Sequence, residues 1–199
     1  VVDVGQAIID AFSSFGDLGM LLAIVIIIWI DGTAFPTLPE AWLVFLYGMH
    51  PDSFWWGATL VVVTSCASLL GNMTLFSLVK MAHLPNRVQR AMRKYTNWLI
   101  LKDERLLILN RFAPVLPYTG AFIAVCNWNL KKCVVYLLGS AMAKTSVYMV
   151  IFWMSYSSLK DEVAPWVSLG IVAIVILASI VSSFVYRRRE MGGAQPRSP

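Results

Sequence analysis

The sequence predicts an all-α polytopic membrane protein. It would be an inverted repeat of two re-entrant hairpins that face each other, with transmembrane helices and an interfacial amphipathic helix. Three observations predict this. Of 199 residues, 58% are hydrophobic and only 14% charged, with a mean hydropathy of +0.69; soluble domains are about a quarter charged. Two apolar stretches are each broken by a Pro-x-Leu-Pro, Pro36-Thr-Leu-Pro39 and Pro114-Val-Leu-Pro117. All sixteen Lys and Arg residues lie from Lys80 onward, and none precedes it. Such a chain forms a single membrane domain, residues 1–199, with no room for a separate soluble catalytic domain.

Taken in order, residues 1–15 are short and amphipathic, with Val1, Val4, Ile8 and Phe12 near one helical face, and suit a membrane surface. The first repeat, residues 1–79, holds a hairpin at 15–49. Its apolar flanks, 18–30 and 41–48, fall short of the ~20 residues that cross a bilayer. The break between them carries Asp31, Gly32, Pro36, Pro39 and Glu40. Each proline lacks an N–H and clashes with a continuing helix. Non-helical backbone at membrane depth survives only where protein buries it or a wet cavity solvates it. A surface loop between two ordinary spans is the competing reading, and the short flanks argue against it. Residues 54–79 form the first full span, with Trp55 and Trp56 placed as interfacial anchors. Its Gly, Ala and Ser residues would let helices approach closely, and Asn72 would seek an interhelical hydrogen bond.

Residues 80–105 are strongly basic, and Val88, Met92, Trp98 and Leu99 recur at helical spacing. They read as a cytoplasmic amphipathic helix with cations facing anionic head groups; beside so much apolar sequence, nucleic acid is not the expected partner. The second repeat, residues 106–156, holds a hairpin at 106–128 broken by Arg111, Pro114, Pro117 and Gly120. A basic turn at Lys131 and Lys132 leads to a span at 133–156 that contains Lys144. A last span at 163–186 ends on Arg187–Arg189, and a cytoplasmic tail, 187–199, closes the chain.

With residues 80–105 in the cytoplasm, the positive-inside rule leaves the acidic N-terminal side and Asp161–Glu162 outside and the triple arginine inside. The hairpins then enter from opposite faces and meet near the midplane, as substrate sites do at inverted-repeat interfaces. Cys66, Cys126 and Cys133 have no metal-like spacing and read as small core residues, and two histidines offer little for a metal site or His-based catalysis. No Gly-x-Ser-x-Gly or His-Glu-x-x-His is present, so no enzyme, metal or cofactor is expected.

Asp31, the Pro36-to-Pro39 break followed by Glu40, a Gly-containing span and the Arg111-x-x-Pro114 hairpin together resemble the DedA membrane proteins of the VTT-domain (SNARE-associated) superfamily. The resemblance covers roughly residues 18–153. Asp31 stands where Glu is usual in the family. Pro117 stands where bacterial members often carry a second arginine, which makes Arg111-to-Pro117 more like the VTT-type branch. The resemblance implies a multi-pass protein of a prokaryotic plasma membrane that moves lipids between leaflets, in flippase or scramblase fashion. Polyprenyl phosphates and glycerophospholipids are the implied substrates, and protons a possible coupling ion.

The residues themselves suit that chemistry. Arg111 is the candidate phosphate ligand, because its fork matches phosphate oxygens bidentately. Asp31 and Glu40 would hold Arg111 when the site is empty, or take up protons. The same charges would also serve as a structural ion-pair cluster locking the hairpins. Lys144 either replaces the missing second arginine or pairs with a carboxylate. Other functions compatible with these residues are ion- or proton-coupled transport of a small solute and a non-transporting scaffold.

Overall fold

Two helices of 29 residues, Phe54–Ala82 and Leu130–Ser158, are the posts on which the chain is built. At 1.5 Å per residue each is ~44 Å long, well beyond the ~30 Å of bilayer hydrocarbon. The computed structural model describes residues 11–12, 15–33, 39–82, 84–97, 103–112, 116, 118–158, 163, 166–168, 170–171, 173–174 and 177. Those residues are helical wherever they are regular. In chain order the helices are α1 (Gly16–Thr33), α2 (Pro39–Tyr47), α3 (Phe54–Ala82), α4 (Asn86–Asn97), α5 (Leu106–Phe112), α6 (Thr119–Cys126) and α7 (Leu130–Ser158). Three of them, α1, α3 and α7, are long and apolar enough to cross a membrane, so the all-helical membrane class read from composition is the observed one. The expectations for residues 1–10, Pro36, Pro114, Pro117, Trp98, Leu99, Asp161–Glu162, Arg187–Arg189 and most of the last span fall outside the described residues.

The posts touch each other, and α1–α2 and α5–α6 flank them as two pairs. The α1–α2 pair is closed at its base where His50 Nε2 meets Asp17 Oδ2 at 3.1 Å. That base sits at the start of α3, where Trp56 Nε1 donates to the Leu46 carbonyl at 2.8 Å. It also sits at the end of α7, where the Tyr47 and Tyr156 rings meet edge-on with centroids 5.7 Å apart. The α5–α6 pair is closed at the other end of the posts: the Asn129 N–H, just before α7, donates to Glu104 Oε1, just before α5, at 3.0 Å. Each pair has its own core. Ile24, Ile27, Leu46, Leu60 and Phe152 fill the first; Leu107, Ile123, Cys133 and Leu137 fill the second, against Met73 and Phe76 of α3. A third patch, Leu106, Leu116 and Phe122, packs on Met92 and Tyr95 of α4.

Both pairs lean on the same point of α3 through glycine. The Gly32 and Gly71 backbones touch, so that a Cβ on Gly71 would lie 2.8 Å from the Trp29 carbonyl oxygen. One residue on, a Cβ on Gly120 would run into the Asn72 carbonyl oxygen and lie 3.0 Å from the Phe76 nitrogen. The obstacle in both places is backbone, which cannot swing aside. Gly120→Ala is therefore expected to cost ~1–3 kcal/mol, read as a lower thermal midpoint. Gly139→Ala is the control, since nothing lies within 4 Å of a Cβ there. Equal midpoints for the two variants would count against the contact.

Several sequence expectations are corrected. The first flank is longer than expected, because α1 runs 18 residues and continues through Asp31, Gly32 and Thr33; those residues only weaken a helix, whereas prolines stop one. Gly32, Pro39 and Gly120 therefore lie inside helices rather than in the breaks. Pro39 opens α2, where its missing N–H would be unpaired in any case. The irregular backbone of the second break is seen at Leu116 and at Tyr118, whose φ of 53° is left-handed. Residues 80–105 are not one helix: Lys80 belongs to the last turn of α3, Leu84–Pro85 separates it from α4, and Arg105 lies in a turn. Lys131 and Lys132 belong to the first turn of α7, whose backbone N–H groups they present to Asn129 Oδ1 at 3.1 and 3.4 Å, so Asn129 caps the helix and α7 starts earlier than expected. Cys66 is exposed rather than in the core. Trp56 packs on α2 instead of standing free as an anchor, unlike the exposed Trp55. Asn72 donates to the Ser68 carbonyl of its own helix at 2.8 Å, not across helices.

The Glu104 carboxyl is held below the usual range by its own backbone N–H and by that of Asn129, with Lys132 and Arg105 adding to it. A depressed carboxylate contributes stability that is present above its unfolded value, about 4.3, and is lost as pH falls through the lower folded value. Thermal midpoints of wild type and Glu104→Gln should thus differ near neutral pH and converge as pH falls through the folded value. A gap that stays constant across that range would contradict this role.

Candidate functional site

Between the two apolar cores lies a polar layer at mid-height. Ser68 is the central residue of α3 and Lys144 the central residue of α7. Each holds a charged partner from one of the pairs. Arg111 Nη2 donates to Ser68 Oγ at 2.7 Å, and Lys144 Nζ donates to Glu40 Oε1 at 2.8 Å. The side chains of Lys144 and Glu40 are 28% and 15% exposed, and Arg111 is partly exposed, so the layer is shielded without being sealed. Lys144 also stands 5.4 Å from the centroid of the Tyr148 ring, a cation–π contact.

Local helix geometry explains the placement of these charges. Arg111 is in the last turn of α5 and Glu40 in the first turn of α2. A cation at a helix C-terminus and an anion at an N-terminus both oppose the local end of the backbone dipole. Asp31 sits in the last turn of α1. Asp31 and Glu40 both attract the Arg111 guanidinium electrostatically, and Arg111 and Lys144 repel each other. The four ionisable side chains singled out in the sequence are thus brought into one electrostatic neighbourhood. Within it Glu40 takes Lys144 as its direct partner, and Arg111 takes a neutral hydroxyl. Of the break residues, Gly32 and Gly120 reach this region as the packing contacts on Gly71 and Asn72.

Two residues that sequence reading missed hold the site together. Asn110 Nδ2 donates to Thr119 Oγ1 at 3.0 Å, and its Oδ1 accepts from the Leu116 N–H at 2.6 Å. One amide thereby bridges the end of α5 and the start of α6, right beside Arg111. A lone amide in the apolar run LLILNRF was the available signal. Ser68 was the other, read only as a small packing residue.

Most other hydroxyls in the long helices satisfy themselves on the carbonyl four residues back: Thr64 on Leu60, Thr74 on Leu70 and Ser140 on Tyr136. Ser65 is different. Its Oγ is fully buried and has no hydrogen-bond partner among the described residues. An unpaired buried hydroxyl costs about 1–3 kcal/mol, so Ser65→Ala should raise the thermal midpoint of the solubilised protein by several degrees; a lowered midpoint would show that the hydroxyl is satisfied in the membrane.

Chemically, the layer offers two cations against two carboxylates at the mid-height of the long helices. The bond to Ser68 uses one of the five N–H donors of a guanidinium. Among the described residues, no cluster of three or more His, Cys, Asp and Glu side chains gathers to hold a metal ion. Comparison of the chain with protein-family models, with curated proteins and with solved structures finds no match.

Proposed function

We propose that this protein moves a phosphate-bearing lipid, such as a polyprenyl phosphate or a glycerophospholipid, between membrane leaflets in flippase- or scramblase-like fashion. In this reading it is a multi-pass protein of a prokaryotic plasma membrane with the DedA/VTT architecture. The α1–α2 and α5–α6 pairs are its two re-entrant hairpins, related as an inverted repeat. The observation that carries the reading is the charge layer at mid-height, with Arg111 on Ser68 and Lys144 on Glu40. Ionisable groups at bilayer depth are costly and mark transport paths. A head group crossing hydrocarbon needs a cation at that depth while its tails stay in lipid, and a guanidinium whose hydrogen bond, among the described residues, goes to a neutral hydroxyl can exchange that bond for one to a phosphate. Closure of the two pairs at opposite ends of α3 and α7 supports the inverted arrangement. So does the charge of those ends: Lys80, Lys131 and Lys132 lie at the α5–α6 base, and Asp17 and Asp52 at the other.

Reconstitution into liposomes with leaflet-labelled lipids, at two pH values, tests the proposal. Accelerated exchange of phosphate-bearing lipid between leaflets is expected. Transport of a water-soluble solute with no lipid movement would assign the same charges to a solute transporter, and activity in neither assay would leave a scaffold.

A further inference from the structure

The basic helix α4 is bolted to the second pair, and this carries a consequence for control. Arg93 Nε donates to the Val125 carbonyl, in the last turn of α6, at 3.1 Å. Thr96 Oγ1 lies 3.5 Å from Cys126 Sγ, and Met92 and Tyr95 pack on Leu106, Leu116 and Phe122. One face of α4 is thus committed to α5 and α6. The other is not. Arg87, Arg90 and Lys94 recur at i, i+3 and i+7, so they form one row, and all three are exposed. Among the described residues, no carboxylate stands in ion-pair distance of any of them. The two described acids at this end are already engaged, Asp103 with Arg105 at 3.7 Å and Glu104 with the Asn129 N–H. Exposed Ala91 lies beside the row, while Val88 stands one turn before Met92 on the packed side. Lys80, Lys131 and Lys132 lie at the same end of the posts. This composition fits an anionic lipid surface, which neutralises the cations.

We propose that α4 is an anionic-lipid-binding strap: head groups of the adjoining leaflet hold the row Arg87, Arg90 and Lys94, and Arg93 transmits that hold to α6 and so to the α5–α6 pair that carries Arg111. The strap rests on the membrane placement of the chain but not on lipid transport.

Hydrogen exchange of the full-length protein in nanodiscs, read by mass spectrometry, tests it with no transport readout. The lipids are phosphatidylcholine alone or phosphatidylcholine with phosphatidylglycerol. Phosphatidylglycerol should slow exchange in α4 and α6 by about tenfold or more, from roughly 1 kcal/mol per basic residue at such a surface. It should leave α1 and α2 unchanged. High salt should erase the effect. The triple variant Arg87→Gln, Arg90→Gln, Lys94→Gln should lose the response in both helices. Arg93→Met should keep it in α4 and weaken it in α6, where the Thr96–Cys126 and Tyr95–Phe122 contacts remain, with partial return in Arg93→Lys, whose ammonium can still donate to a carbonyl. Equal exchange of α4 in the two lipids would overturn the surface, and an α6 response undiminished in Arg93→Met would overturn the link. A strap that responds in a protein that moves no lipid would sink the proposed function and leave this inference standing.

Discussion

Replacing Arg111 by alanine is expected to abolish lipid movement in liposomes, a loss of about a hundredfold or more, while the protein still folds. The arginine supplies charge-assisted bonds to phosphate worth roughly 1.5–3 kcal/mol each, and commonly two in parallel. Its removal also leaves Asp31 and Glu40 without the cation that attracts both. Arg111→Lys should restore part of the rate, because an ammonium keeps the charge but lacks the planar fork. Ser68→Ala should do less, since it removes a single bond of the guanidinium, about 1.5–3 kcal/mol, and leaves the cation itself in place. Full transport by a well-folded Arg111→Ala protein would remove the guanidinium from the mechanism and leave these charges a structural cluster.

Lys144→Met is expected to be the most destabilising single change at the layer, by up to about 3–5 kcal/mol. It leaves Glu40, whose side chain is only 15% exposed, without the ammonium at 2.8 Å. Adding Glu40→Gln should recover most of that loss, because removing both charges of a shielded pair is far cheaper than stranding one. Thermal midpoints of the two singles and the double make the cycle, and a double no better than Lys144→Met would show that the two residues act independently. Transport by the stable double then separates roles. If Lys144 also holds phosphate, the double folds but moves lipid slowly. If it only anchors Glu40, the double approaches the wild-type rate.

The membrane class, the two long posts and the four charges of the layer were legible because each breaks a strong local pattern. Asp31, Glu40, Arg111 and Lys144 are conspicuous in apolar sequence, and depth makes any charge expensive. Which charge meets which was not legible. Glu40 and Lys144 are 104 residues apart, and nothing local in either helix names the other. Small polar residues were underread for two reasons: Ser68 differs little in hydropathy from the Gly, Ser and Thr residues that merely pack, and the amide of Asn110 stands next to the charge of Arg111, which drew the reading to itself. Glycine misled most. Gly32 and Gly120 sit beside prolines, so they were taken for chain breaks, yet their use is the missing side chain, which lets α1 and α6 reach the α3 backbone. The end of the first flank was misplaced because Asp and Gly were given the stopping power that belongs to proline.

The glycine contacts on Gly71 and Asn72 also limit how the molecule can move. Helices that meet through side chains can ratchet, one ridge jumping to the next groove. Backbone on backbone leaves no ridge to jump, so at this point α3 acts as a fulcrum and the two pairs as levers. The six steps from Gly120 to Cys126 give an arm of ~9 Å, and a tilt of ~10° about Gly120 would swing its far end by ~1.6 Å while the fulcrum stays put. Arg93 grips α6 at that far end, where a given force has most leverage. The arginine of the charge layer, one short bridge from the pivot through Asn110 and Thr119, would travel least.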